Sequence, residues 1–204
     1  MVKLFSRFLK IVLVWICIWV IAPDLALARE TYRGLVARLV SIAAANQLEK
    51  PELESALFRL ANEFRRANGL PGLVEDQADH HASLAHAMDM MQHDYMGHVA
   101  STGQDFDSRM RALRDGAMIL PSMGENAARL SHANVSDPQV AKKIFQQWVK
   151  SPPHRHALLS LDYVKVATGV VAQGDKVYAD QIFVGPEVVT NIERTAPEGG
   201  DSLY

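Results

Sequence analysis

Cysteine is almost missing: the 204-residue chain has a single one, Cys17, inside an N-terminal apolar segment. That excludes an internal disulfide, and with it the paired-cysteine zinc and redox motifs. HExxH, GxSxG and the phosphate-binding glycine loop are absent too, which removes the common zinc-protease, hydrolase-elbow and nucleotide-binding readings. Positive charge is not in excess: the formal net charge is −2, where a nucleic-acid partner rewards a clustered surplus of Lys and Arg. The pair Arg65-Arg66 reads as a solvated helix face. What remains is globular, because 49% hydrophobic and 22% charged residues are average for a folded domain, and 204 residues suffice for one core and leave little for a second.

Lys3, Arg7 and Lys10 precede an unbroken apolar run from Ile11 to Ala22, and Ala26-Leu27-Ala28 follows as a small-x-small cleavage signature. Residues 1–28 therefore read as a secretory signal peptide with a periplasmic or secreted product. A retained membrane anchor is the alternative, against which stand the short run and its interruption at Pro23-Asp24. No small-residue lipobox precedes Cys17. Cleavage leaves 18 basic against 22 acidic residues, about −4. Without a cysteine, packing alone must hold the exported domain together.

Leu35, Leu39 and Ile42 at near-helical spacing suggest an amphipathic helix of open role, either a docking element or a spacer. Pro51 opens a core helix in which Leu53, Leu57, Leu60 and Phe64 recur until Gly69 and Pro71. Asp76 can cap another helix to about Met91, with Ala78, Ala82, Ala85 and Met88 inward and Asp79, His80, Ser83 and His86 off that stripe. From Asp94 to Gly124 the pattern reads as loop, with a short helix at Phe106–Leu113, and Gly124-Glu125-Asn126 closes it. Asp137-Pro138 caps a helix that buries Val140, Ile144 and Trp148; Ser151-Pro152-Pro153 breaks it and presents His154. Beyond Asp162 the period becomes two on either side of Gln173-Gly174-Asp175, an antiparallel hairpin, and the tail after Gly185 is aperiodic.

Histidine is the residue through which such a domain can bind metal or carry protons. His80, His81 and His86 are not three or four apart, cannot readily share one ion, and read as structural or solvated. His93, His132 and His156 have the same bland reading. His98, Glu125 and His154 differ, because each lies beside a Gly or Pro that sets the backbone. Gly97 and Gly124 also have an ordinary explanation, positive φ in tight loops.

Leu73-x-x-Asp76, Asp89-Met90, Tyr95-x-x-His98, Gly124-Glu125-Asn126, Trp148-x-x-Ser151-Pro152-x-His154-Arg155, Leu158-Leu159 and Tyr178-x-x-Gln181-x-Phe183 occur in an order and spacing that resembles the bacterial branch of the CAP superfamily, the SCP domain of cysteine-rich secretory, antigen five and pathogenesis-related proteins. The resemblance spans roughly Leu57 to Val184. It implies an α+β fold, an α-β-α sandwich with a small antiparallel sheet between helices, and a central cavity. On this reading residues 29–50 are a helical extension, 51–185 the domain and 186–204 a flexible tail. The cavity of the family carries two histidines and two acids. His98, Glu125 and His154 match three of these positions, and Ser151 stands where eukaryotic members have the second glutamate. Asp79 departs from the usual apolar residue.

Two imidazoles and a carboxylate can hold zinc or another divalent ion such as magnesium and leave a position open. A metal-bound water with Glu125 as ligand or general base would then hydrolyse an envelope peptide or glycopeptide. The resemblance points instead to a module that binds a lipid, a glycan, a peptide or a protein partner, with membrane contact only if the signal segment is retained. A third reading makes the cluster purely structural: Glu125 tying its loop, Asn126 capping a turn, Ser151 at the helix break, and Arg155 either clamping an anion or packing over a helix end.

Overall fold

The computed structural model describes residues 30–117, 119–131, 133–134 and 139–187. The segment 1–28 expected to be a signal peptide, His132, Asp137-Pro138 and the tail beyond residue 187 lie outside these. Helix α1 (Tyr32–Ala45) starts where the Thr31 hydroxyl accepts the Gly34 amide at 3.1 Å, and it buries Tyr32, Leu35, Val36, Leu39 and Ala43. The extension is thus part of the core. Burying Leu35 and Leu39 alone contributes about 1.5–3 kcal/mol each.

Helix α2 (Pro51–Ala67) has proline in its first turn, acids Glu52 and Glu54 beside it and Arg65 and Arg66 at its end, in accord with the helix dipole. Arg65 is not solvated as expected: it is 1% exposed. Its guanidinium donates to the carbonyls of Pro71, Leu158 and Ser160 at 2.8, 3.0 and 2.8 Å, riveting α2 to a later helix end.

Strand β1 (Val74–Glu75) precedes α3 (His80–Gln92), which starts later than Asp76 suggests. The Asp76 carboxylate accepts the Ala78 amide in a turn, while Asp79, at the cap position, pairs with Arg114. That ion pair accounts for an acid where the family has an apolar side chain. Then come α4 (Phe106–Leu113), capped by Asp105, β2 (Met123–Leu130), α5 (Val140–Lys150), α6 (Pro152–Leu159), β3 (Lys165–Gln173) and β4 (Lys176–Val184). Pro152 and Pro153 do more than stop α5: they open α6, so His154 lies in its first turn.

The sheet order is β1-β3-β4-β2, with β1 parallel to β3 and the remaining pairs antiparallel. Helices α1, α3 and α4 cover one face and α2, α5 and α6 the other, the sandwich the resemblance implies. Both faces being covered, β3 and β4 are buried along almost their whole length. Trp148, Tyr178 and Phe183 are core, each at 0% exposure. Helix α3 lies so close to the sheet that a Cβ on Gly169 would overlap the Leu84 backbone.

Beyond the short β1, the outer edge of β3 is closed by the segment before α2. Lys50 N–H donates to the Val170 carbonyl at 2.9 Å, Ala172 N–H donates to the Leu48 carbonyl at 2.8 Å, and Glu49 bridges Val171. The Glu54 carboxylate accepts the Val170 amide at 2.9 Å. Among the described residues, no helix is long and apolar enough to cross a membrane.

Candidate functional site

Gly124-Glu125-Asn126 lies in β2 and not in a loop: Glu125 is opposite Ile182 and Asn126 opposite Gln181. Glycine and asparagine disguise the strand, yet alternation is what the site needs, since successive residues point to opposite layers. Glu125 faces α3 and Asn126 faces α6. Gly124 is not at positive φ. Its need is space, because a Cβ there would come within 2.5 Å of the Tyr163 hydroxyl.

Glu125 meets His98 from the loop after α3. The Nδ1–H of His98 donates to Oε2 at 2.8 Å, and Arg109 Nη2 donates to Oε1 at 2.6 Å. The carboxylate and the guanidinium are 2% and 0% exposed, whereas His98 is 49% exposed. Burial pushes the Glu125 carboxyl up, but the His98 bond and the Arg109 charge outweigh it and hold the group below the usual carboxylate range. It is ionised. His154 completes the group, with its ring centroid 5.8 Å from that of His98. Burial, reinforced by His98, lowers the His154 pKa.

Three side chains brace the loop that carries His98. His86 Nε2–H donates to the Gly97 carbonyl at 2.8 Å, and Arg109 donates to the His98 carbonyl at 3.1 Å. Asp89 accepts from the Tyr95 hydroxyl at 2.6 Å, the Ser101 amide at 2.8 Å and the Ser101 hydroxyl at 2.5 Å. His86 is therefore neither solvated nor off the packed face: α3 is buried on all sides from Ala82 to Met90. Burial lowers its pKa and leaves it neutral. Below Glu125 lies Asp180 of β4, fully buried, where burial and the Glu125 charge raise its pKa well above the ordinary range. Arg109 balances the Glu125 carboxylate, and burial disfavours charge on both His86 and Asp180. Tyr32 of α1 is close enough to Arg109 for the guanidinium to act on its hydroxyl.

The profile of the CAP family, described as the cysteine-rich secretory protein family, matches residues 58–186. The chain belongs to the CAP family. It is 30% identical over 131 residues, 64% of this chain and 34% of the relative, to the uncharacterized membrane protein YlbC of Bacillus subtilis (strain 168). The chain thus spans about a third of that curated relative's length. Among solved structures, it resembles an extracellular SCP-domain protein of Bacillus anthracis str. Ames with a TM-score of 0.52 and 27% identity, over 67% of this chain and 41% of that one. An outer surface protein of Borrelia burgdorferi shares the fold, with a TM-score of 0.55 and 16% identity over 67% of this chain and 94% of its own. The bacterial CAP assignment and the sandwich stand on these likenesses.

The three expected residues adjoin, but they do not form a three-donor metal cage. Among the described residues, the sets of ligand atoms that lie within 4.8 Å of one another are Glu49, Glu54 and His80, and His86, Glu125 and Asp180. Both Glu125 oxygens are occupied, one of them by a guanidinium, whose charge opposes a cation. As it stands, the His98–Glu125–His154 set does not fit a metal. Asn126 donates to the His154 carbonyl at 3.2 Å, tying β2 to α6 instead of capping a turn. Ser151 joins α5 to α6, and its carbonyl accepts the Arg155 amide at 2.8 Å. Arg155 is exposed, with its guanidinium 6.0 Å from the centre of the Phe64 ring.

Arg109, His86 and Asp180 are the residues that sequence reasoning missed. One signal was available for Asp180: a carboxylate in the middle of the otherwise apolar run from Val177 to Val184 must be handled by something.

Proposed function

We propose that this CAP-domain chain is an exported binding module of the cell envelope, which takes a polar or amphipathic ligand at the His98–His154 pair. One observation carries this reading: Glu125 is 2% exposed and has both oxygens engaged, so the polar groups offered to a visitor are the two imidazoles. Glu125 fixes His98 through Nδ1 and leaves Nε2 as the ring's remaining polar atom. Met96 and Val99 flank His98 in the chain and are 55% and 53% exposed, which suits a ligand with an apolar portion. Export is supported by the residue 1–28 pattern and by the extracellular and surface proteins that the chain resembles.

The hydrolase reading needs Glu125 as a base or metal ligand, and that would require Oε2 to give up the His98 Nδ1–H while Arg109 holds Oε1. The test is a thermal-shift and NMR titration of the purified protein with muropeptides, glycan fragments and short-chain phospholipid, with mass spectrometry of the same mixtures. Saturable stabilisation without product, lost in His98→Ala and His154→Ala, is the expected result. Cleavage of an envelope peptide or glycopeptide that Glu125→Gln abolishes would overturn it.

A further inference from the structure

We propose that His80, Glu54 and Glu49 form a divalent-cation site of the zinc class at the seam between the N-terminal extension and the domain, apart from the CAP cavity. His80 Nε2 lies 3.2 Å from Glu54 Oε2 and 3.8 Å from Glu49 Oε1. Donors at about 2.0–2.1 Å from a tetrahedral zinc lie about 3.3–3.4 Å from one another, close to the two separations from His80, and all three donor atoms lie within 4.8 Å of one another. One imidazole and two carboxylates suit zinc, and three donors leave a fourth position to water.

Each donor is held by something other than the ion. Glu54 is 9% exposed at its side chain, and its second oxygen accepts the Val170 amide, which orients the oxygen that faces His80. Glu49 is fixed by its backbone bridge to Val171, and His80 opens α3. The Glu49 and His80 side chains are 28% and 23% exposed, so solvent and ion have access.

Charge separates this site from the other candidate cluster. The strongest charges acting on His80 are those of Glu54, Glu49 and Glu75, all acidic. An imidazolium neutralises one carboxylate, whereas a divalent ion balances both Glu54 and the partly buried Glu49, Glu75 being exposed to solvent. Beside His98, Arg109 already balances Glu125. Glu49 and Glu54 also precede the family-matched residues 58–186, so the site belongs to this chain's junction and not to the shared cavity.

The experiment is calorimetric titration of the chelator-treated protein with zinc chloride, with bound metal counted by atomic absorption. Wild type, His98→Ala and His154→Ala should each take up one equivalent at the seam, with Tm raised by about 5–10 °C at a zinc concentration one hundred times Kd. His80→Gln and Glu49→Gln should weaken that uptake by at least about tenfold. Glu49 is a partly exposed side chain, so Glu49→Gln should keep the metal-free Tm and circular dichroism of wild type and reports on binding alone. No uptake by wild type overturns the site. So does uptake that survives in both His80→Gln and Glu49→Gln, or that is lost only in His98→Ala or His154→Ala.

Discussion

Replacing Arg109 by methionine keeps most of the side-chain volume and removes the cation that sits 2.6 Å from Glu125. Breaking one side of a buried ion pair costs about 3–5 kcal/mol, and the lost bond to the His98 carbonyl adds about 1 kcal/mol. The carboxylate has one escape, to take up a proton. In wild type Glu125 is held below its unfolded pKa, so its contribution is present above that value and lost as pH falls through the folded one. Without Arg109, burial dominates and the folded pKa rises above the unfolded one; the deficit then grows with pH, at about 1.4 kcal/mol per unit. Urea unfolding followed by Trp148 fluorescence at pH 5, 6.5 and 8 should show a loss of about 4 kcal/mol near neutrality, with a Tm lower by about 8–16 °C. The loss should be smallest at pH 5, and Arg109→Met with Glu125→Gln should recover at least half of it. A deficit below about 1 kcal/mol, or one that is flat with pH and not relieved in the double variant, would refute the charge balance.

Asp89 should confer acid sensitivity. Burial pushes its pKa up, but the bonds from Ser101 and Tyr95 outweigh that and leave it depressed, so the stability it contributes is present above the unfolded carboxyl value and lost as pH falls through the folded one. Asp89→Asn should cost about 1–3 kcal/mol at pH 7 and lessen the acid-induced loss, read by urea midpoints at pH 7 and 3.5. Gly169→Ala would drive a methyl into the α3 backbone and should cost about 3 kcal/mol in urea denaturation; a neutral result would mean that α3 can lift freely off the sheet. Trp148→Phe removes the indole N–H donated to the Ala127 carbonyl at 3.1 Å and leaves a void, so it should cost about 2–4 kcal/mol by calorimetry, with folding retained.

The elements announced by local signals were legible. Pro51 and the spacing of Leu53, Leu57, Leu60 and Phe64 mark α2, the period-two runs on either side of Gly174 mark the hairpin, and α4 falls on Phe106–Leu113. What was not legible depended on partners distant in the chain. β2 reads as loop because its Gly, Glu and Asn lack strand propensity, and only the layers on either side give each residue its reason. His86 looks like the solvent side of an amphipathic helix until Glu125 and Gly97 are seen to meet it. Arg65 and Arg109 look like ordinary surface charges, since nothing local reveals three carbonyls waiting for one and a buried carboxylate for the other. His98, Glu125 and His154 emerged from the Gly and Pro beside them and from the resemblance, and the structure sets them side by side.

The closing of the β3 edge by Leu48–Lys50 and Glu54 bears on how the chain can be cut. A fragment trimmed to the family-matched residues 58–186 would lose the backbone and the carboxylate that occupy Val170 and Ala172, and lose α1 from the face of α3. It would present free amides and carbonyls beside an apolar surface, a template on which a second copy can add a strand. Without an internal disulfide, the short segment from Leu48 to Glu54 that seals this border guards against aggregation as well as completing the fold.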